Sequence, residues 1–164
     1  QGGSGEITKG TSILDGIKSR AGKNINLNYS KSGVVDKNTD LIIVAIGEKP
    51  YAEMNGDRES LDLSKDDIEL VNKLSKSGKP IVMVLISGRP MILEPILDKC
   101  DAILAAWLPG SEGAGISDIL FGDYSPTAKL SFSWPKNMKQ LPINFGDTNY
   151  DPLYRFGHGL TFKD

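Results

Sequence analysis

The chain has 164 residues, 39% of them hydrophobic and 24% charged, and its formal net charge is -2 at pH 7. This balance is typical of a soluble globular protein with a substantial core, and the absence of a basic block indicates no nucleic-acid partner. No apolar run approaches the roughly 20 residues of a transmembrane helix, and a single cysteine and a single histidine offer neither a disulfide nor a zinc site. We therefore expect no membrane insertion, no bound metal and no cofactor.

Helical and extended patterns alternate along the chain. In chain order, the sequence predicts a helix at Thr11–Arg20, strands at Ile25–Tyr29 and Leu41–Ile46, a helix at Ser64–Ser77, a strand at Ile81–Ile86, a helix at Met91–Lys99, a strand at Ala102–Trp107, a helix at Glu112–Phe121 and a strand at Leu130–Trp134. Thr11 and Ser111 are the predicted N-caps of the first and last helices. The segment between Tyr29 and Asp40 is short for a helical crossover, so we expect it to be irregular.

Strands that alternate with helices favour a mostly parallel sheet with right-handed crossovers. We predict a single α/β domain over residues 1–164, in which a six-stranded, mostly parallel sheet has helices on both faces to form a three-layer sandwich. The uninterrupted apolar segments LIIVAI, IVMVLI and AILAAW are the predicted inner strands. Residues 135–164 are predicted to be an irregular aromatic tail that packs on the domain.

Polar segments follow the three apolar strands, namely GEKPYAEMNGDRE, SGRP and LPGSEGAG. Because ligands bind beyond the carboxyl ends of parallel strands, these segments are the candidate site. The reactive carboxylate is Glu48 or Glu53, and the residues alone leave this choice open. The candidate substrate-binding residues are Asp57, Arg58 and Arg89. Each has a structural alternative: a turn acceptor for Glu48, a mutual ion pair for Asp57 and Arg58, and a link between loops for Arg89.

Other polar and aromatic features of the sequence favour structural roles. PGSEGAG resembles a phosphate cradle but matches neither GxGxxG nor GxxxxGK[ST], so a tight turn into a helix is the simpler interpretation. His158 and the two tryptophans, Trp107 and Trp134, are expected to serve packing.

Four segments, IGEKPYAEMNGDRE, LISGRP, AAWLPGSEGAGISDILFGDYSPTAKLSFSWP and YDPLYRFGHGLTF, together resemble the second domain of glycoside hydrolase family 3. The likeness is to its β-glucosidases and exo-β-glucanases. In that family an N-terminal (β/α)8 barrel carries an aspartate nucleophile, and the second domain, an (α/β)6 sandwich, provides the acid/base. By resemblance, Glu53 in PYAEMNGD matches the general acid/base, and Glu48 matches the preceding Gly-Glu as a supporting or alternative residue.

The resemblance implies a retaining, exo-acting β-glucosidase that hydrolyses terminal non-reducing β-D-glucosyl residues. Its partners would be the barrel domain of the same protein and a β-glucoside or β-glucan oligosaccharide. The sequence contains no barrel and no signal peptide, and residues 1–5 (QGGSG) have the character of a cut end. We expect this chain alone to be inactive, and the resemblance favours a secreted or extracytoplasmic protein. The alternative is a non-catalytic carbohydrate-binding or structural α/β module.

Overall fold

The computed structural model describes residues 8–163, which form two compact units. The first unit contains residues 8–9 and Leu27–Pro109, and the second contains Gly10–Asn26 and residues 110–163. In chain order the helices and strands are α1 (Ile13–Ala21), β1 (Ile42–Gly47), α2 (Lys65–Ser75), β2 (Ile81–Ile86), β3 (Ala102–Trp107) and α3 (Gly113–Leu120), with short 3₁₀ turns at Glu53–Gly56, Leu97–Lys99 and Met138–Gln140. The interpretation of residues 1–5 lies outside the described residues.

The first unit is built on a parallel sheet in the order β1-β2-β3. Ile42 lies beside Ile81, and Val82 lies beside Ala102. The central strand β2 is the most buried, and Met83 and Leu85 have no exposed surface. An uninterrupted apolar sequence is therefore required where both faces of a strand are covered. The predicted α/β class with a parallel sheet is confirmed.

The prediction of six strands is wrong, because the sheet formed by the described residues has three. Among these, only β2 is an inner strand, since β1 and β3 lie at the two edges. Ile25–Tyr29 is not a strand, and Leu130–Trp134 forms only an isolated antiparallel bridge between Trp134 and Tyr154. Alternation of apolar and polar residues suits a half-buried surface, but a strand also needs a neighbour with which to pair its backbone.

Helix α2 begins where the sequence predicts, after Ser64. The Ser64 hydroxyl accepts a hydrogen bond of 3.1 Å from the Asp67 N–H, and Asp66 and Asp67 place negative charge in the first turn. Both features stabilise the N-terminus of a helix. Val71 and Leu74 are buried, and the helix packs beside β1.

The predicted helix at Met91–Lys99 is wrong. Only Leu97–Lys99 forms a 3₁₀ turn, and the Ile92 N–H instead donates to the Leu61 carbonyl over 2.9 Å. Pro95 explains the difference, because its ring disfavours helical backbone in the preceding residue and offers no N–H. The helix-like spacing of the apolar residues arises from burial of an irregular segment whose buried members are Met91, Ile92, Leu93 and Ile96. As expected, the segment between Tyr29 and Asp40 contains neither helix nor strand.

In the second unit, helices α1 and α3 pack closely against each other. A Cβ atom added to Gly113 would overlap the backbone of Ser12 and Ile13, and one added to Gly16 would overlap the Ser117 hydroxyl. The two helices approach at positions where side chains are missing, so these glycines set the distance between them.

The N-caps of these two helices differ from the prediction. The Ser12 hydroxyl, rather than that of Thr11, caps α1 by accepting from the Asp15 N–H over 3.1 Å. Glu112, rather than Ser111, occupies the N-cap position of α3 and makes no side-chain capping bond. Ser111 instead donates to the Glu112 carboxylate over 3.2 Å.

Residues 135–163 contain the 3₁₀ turn at Met138–Gln140 and the bridge residue Tyr154, and are otherwise without helix or strand. Trp134 is 2% exposed and meets Tyr154 edge to face with ring centres 6.3 Å apart. Trp134 therefore belongs to the core of this unit. Within residues 8–163, no helix has the length and apolar character needed to cross a membrane.

Candidate functional site

The loop that leaves β1 begins with a buried carboxylate. Only 5% of the Glu48 side chain is exposed. Its oxygens accept hydrogen bonds from the Tyr51 hydroxyl at 3.1 Å and from the Gly88 N–H at 3.2 Å. They also form ion pairs with Arg89 at 3.1 Å and Arg58 at 3.3 Å. Two guanidinium groups thus neutralise Glu48 and leave it little access to a ligand.

Arg89 follows β2 and connects three parts of this loop. Its Nη2 donates to the Gly56 carbonyl over 2.7 Å, and its guanidinium carbon lies 4.5 Å from the centre of the Tyr51 ring. Burial alone would lower the pKa of Arg89, but the hydrogen bond and negative charge of Glu48 outweigh it and hold the pKa above its ordinary value. Arg89 is therefore a permanent cation directed at its own loop. We call Glu48, Tyr51, Arg58 and Arg89 the Glu48–Arg89 cluster.

Arg58 also serves the backbone of its own segment. It donates to the carbonyls of Ser60 and of Asp62, the latter over 2.8 Å, besides pairing with Glu48. The structural alternative of an ion pair between Asp57 and Arg58 is wrong, because the guanidinium of Arg58 pairs with Glu48 instead. The Asp57 side chain is exposed.

Glu53 lies outside the Glu48–Arg89 cluster and is exposed. It opens the 3₁₀ turn Glu53–Gly56, and its φ of 47° places it in the left-handed region that glutamate rarely adopts. The far end of the turn is fixed, because Gly56 is buried beneath Tyr51 so closely that a Cβ atom there would overlap the ring. The turn thus joins an exposed carboxylate to an anchored glycine.

The structure brings four of the five candidate residues together. An open cleft of about 570 Å³ is lined by Glu48, Asp57, Arg58 and Arg89, together with Tyr51 and the start of α2. Glu53 is not part of this lining. Sequence analysis missed Tyr51, since a single aromatic residue in a loop has no periodicity that reveals its partners.

The residues expected to serve packing lie elsewhere. His158 stacks on Tyr154 with ring centres 4.7 Å apart, and Trp107 is half-buried at the end of β3. Ser111 and Glu112, which follow the third apolar strand, belong to the second compact unit. The part of the chain that the structure describes contains no group of three residues suited to hold a metal ion.

Residues 1–162 match the family model described as the glycosyl hydrolase family 3 C-terminal domain. The chain belongs to glycosyl hydrolase family 3. The resemblance noted from the four sequence segments is thereby confirmed. A β-xylosidase from Formosa agariphila is 32% identical over 92% of this chain and 25% of its own length. A periplasmic β-glucosidase from Salmonella typhimurium is 33% identical over 77% of this chain and 20% of its own length.

Solved structures of a β-glucanase and a β-glucosidase share the fold. An exo-1,3/1,4-β-glucanase from a Pseudoalteromonas species is 44% identical and superposes with a TM-score of 0.85 over 94% of this chain and 21% of its own. A β-glucosidase from Listeria innocua, at 24% identity and a TM-score of 0.78, shows the fold alone. The chain spans only 20% to 25% of the lengths of the curated relatives described above.

Proposed function

We propose that this chain is the second domain of a retaining, exo-acting β-glucosidase and that Glu53 is its general acid/base. The complete protein would hydrolyse terminal non-reducing β-D-glucosyl residues of β-glucosides or β-glucan oligosaccharides. A barrel domain of the same protein would carry the aspartate nucleophile. The β-glucosidases and the exo-β-glucanase among its relatives support this reaction class.

The observation that carries the proposal is the contrast between the two loop carboxylates. Glu48 is 5% exposed and bound to two arginines, whereas Glu53 is exposed on a strained turn. An acid/base must reach the glycosidic oxygen and exchange a proton with it, which Glu48 cannot do while it holds four donors. Backbone strain of about 1–3 kcal/mol persists where the surrounding structure fixes a residue, and such residues cluster at functional sites.

Retaining hydrolysis gives Glu53 two tasks. In the first step its carboxyl group protonates the departing glycosidic oxygen while the nucleophile forms the glycosyl-enzyme. In the second step its carboxylate takes a proton from the attacking water. Such assistance contributes about 100- to 10,000-fold to a rate. The nucleophile must come within about 5–5.5 Å of this carboxyl group, so an exposed position that another domain can approach suits the role.

A β-xyloside is the second candidate substrate. The specific observation in its favour is the β-xylosidase from Formosa agariphila, which is 32% identical over 92% of this chain. The barrel would largely select the sugar. The substrate is therefore identified by comparing the rates at which the complete polypeptide hydrolyses an aryl β-glucoside and an aryl β-xyloside.

The test replaces Glu53 with Ala in the complete polypeptide, including its barrel. We expect kcat/KM for phenyl β-glucoside to fall by about 100-fold or more, and that for 2,4-dinitrophenyl β-glucoside to fall far less, because its leaving group needs little protonation. Added azide should accelerate turnover of the dinitrophenyl substrate and give a glycosyl azide of retained configuration.

Glu59 is the matched control, because it is an exposed glutamate of the same loop. Glu59→Ala should keep near-normal rates on both substrates. Azide rescue in Glu48→Ala and none in Glu53→Ala would reverse the assignment. Normal hydrolysis of phenyl glucoside by Glu53→Ala would favour a non-catalytic module. We also expect the 164-residue chain alone to leave both substrates intact.

A further inference from the structure

Arg89 stands on a rigid part of the first unit. The buried Ser87 donates its hydroxyl hydrogen to the Arg89 carbonyl over 2.8 Å, and the Ser87 N–H donates to the Trp107 carbonyl over 3.1 Å. Pro90 follows directly and restricts the Arg89 backbone to extended conformations. The guanidinium therefore projects from a backbone that is tied to the neighbouring strand.

This guanidinium contacts the chain on both sides of Glu53. Tyr51, whose ring lies 4.5 Å from it, precedes Glu53 by two residues, and Gly56, whose carbonyl it binds at 2.7 Å, ends the turn that Glu53 begins. A planar guanidinium can hold a carboxylate, a carbonyl and an aromatic ring at once, which a lysine ammonium cannot. Arg89 thus binds both flanks of the turn, and the Tyr51 ring, which it contacts, also packs on Gly56.

These contacts direct Arg89 away from a sugar. Its Nε is directed at Glu48, its Nη2 at the Gly56 carbonyl and its face at Tyr51, and only 24% of its side chain is exposed. The sequence suggested a substrate-binding residue, whereas this geometry serves the protein's own backbone.

We propose that Arg89 is a positioning residue that fixes the Glu53 turn and acts on the reaction only through Glu53. This inference rests on the proposed role of Glu53 as acid/base. Without the bond to Gly56, the turn can relax from its left-handed conformation, and the Glu53 carboxyl group moves with it. A displacement of about 1 Å can cost about 100-fold in rate.

The test compares Arg89→Met and Arg89→Lys in the complete polypeptide. Both variants should lower kcat/KM for phenyl β-glucoside by about 10- to 100-fold and that for 2,4-dinitrophenyl β-glucoside by less than about 3-fold. The constant kcat/KM is chosen because it reports the step in which the leaving group departs. Lys76→Met is the control, since Lys76 is an exposed cation of the same unit and should show no change.

A double-mutant cycle separates positioning from other roles. In the Glu53→Ala background, Arg89→Met should cause no further loss on phenyl glucoside, because its effect passes through a carboxyl group that is already gone. A substrate-binding arginine would lower kcat/KM for both substrates equally and do so again in the Glu53→Ala background. Loss of folded enzyme would likewise reduce both substrates equally. Either pattern overturns the proposal.

The cycle also distinguishes the two proposals. If Glu53→Ala shows the leaving-group dependence and azide rescue while Arg89→Met is additive with it, only the role of Arg89 is wrong. If Glu53→Ala shows neither, the assignment of Glu53 is wrong and the inference about Arg89 falls with it.

Discussion

Replacement of Glu48 tests how much the Glu48–Arg89 cluster contributes to stability. Loss of one partner from a fully buried ion pair costs about 3–5 kcal/mol, because the remaining charge is left without compensation. Here Arg58 and Arg89 keep 36% and 24% of their side chains exposed, Gly88 is exposed and Tyr51 is half-buried, so the freed donors can largely regain water. We therefore expect Glu48→Ala to lower the free energy of unfolding by about 2 kcal/mol and Glu48→Gln by about 1 kcal/mol.

The measurement is urea denaturation of the 164-residue chain, followed by circular dichroism and tryptophan fluorescence. The free energies are comparable where both signals give the same transition. Glu69→Gln is the matched control, because Glu69 is an exposed residue of α2, and it should change the free energy by less than about 0.5 kcal/mol. Equal effects of Glu48→Gln and Glu69→Gln would refute the view that burial makes this cluster stabilising.

Two further predictions concern packing and reactivity. In helix α3, Gly113→Ala should destabilise the chain by about 1–3 kcal/mol, because the added Cβ atom would overlap the start of α1. Gly115→Ala, which has open space around it, should stabilise the chain by about 0.5–1 kcal/mol. Urea denaturation measures both free energies, and changes of the same sign would contradict the packing described. Burial, and to a lesser extent the nearby charge of Asp101, raises the pKa of the Cys100 thiol. At pH 8 iodoacetamide should therefore react more slowly with the folded chain than with the chain in urea. The rate of alkylation of the folded chain should increase as the pH rises. Faster reaction in the folded state would contradict this cause.

Local pattern predicted those elements that depend on neighbours in sequence. The uninterrupted apolar runs gave β1, β2 and β3, and Ser64 marked the start of α2, because burial and capping both act within a few residues. The prediction of a strand at Leu130–Trp134 failed because a strand depends on residues that are distant in sequence. Its alternation is a property of the segment, but a strand requires continuous backbone pairing. Here Trp134 forms an isolated bridge with Tyr154, and Leu130 hydrogen-bonds to Gly157 and His158, without a continuous ladder between them.

In the candidate site, too, some contacts follow from the predicted topology and others depend on the folded loop. Glu48 and Arg89 follow adjacent parallel strands, so their proximity could be predicted from topology. The partner of Arg58 could not, because its neighbour in sequence, Asp57, and the distant Glu48 offer the same charge. Only the folded loop decides between them, by placing Glu48 where two arginines converge.

The pairing of α1 with α3 has a consequence for synthesis on the ribosome. The second unit takes α1 from before the three strands of the first unit and α3 from after them, so α1 emerges about 90 residues ahead of its partner, a delay of roughly 5–20 s at ordinary elongation rates. Throughout that interval Ile17 and Ala21, which are buried in the finished protein, lack the helix that packs beside them. The nascent chain thus leaves these apolar residues without their packing partner until residue 120 has left the exit tunnel.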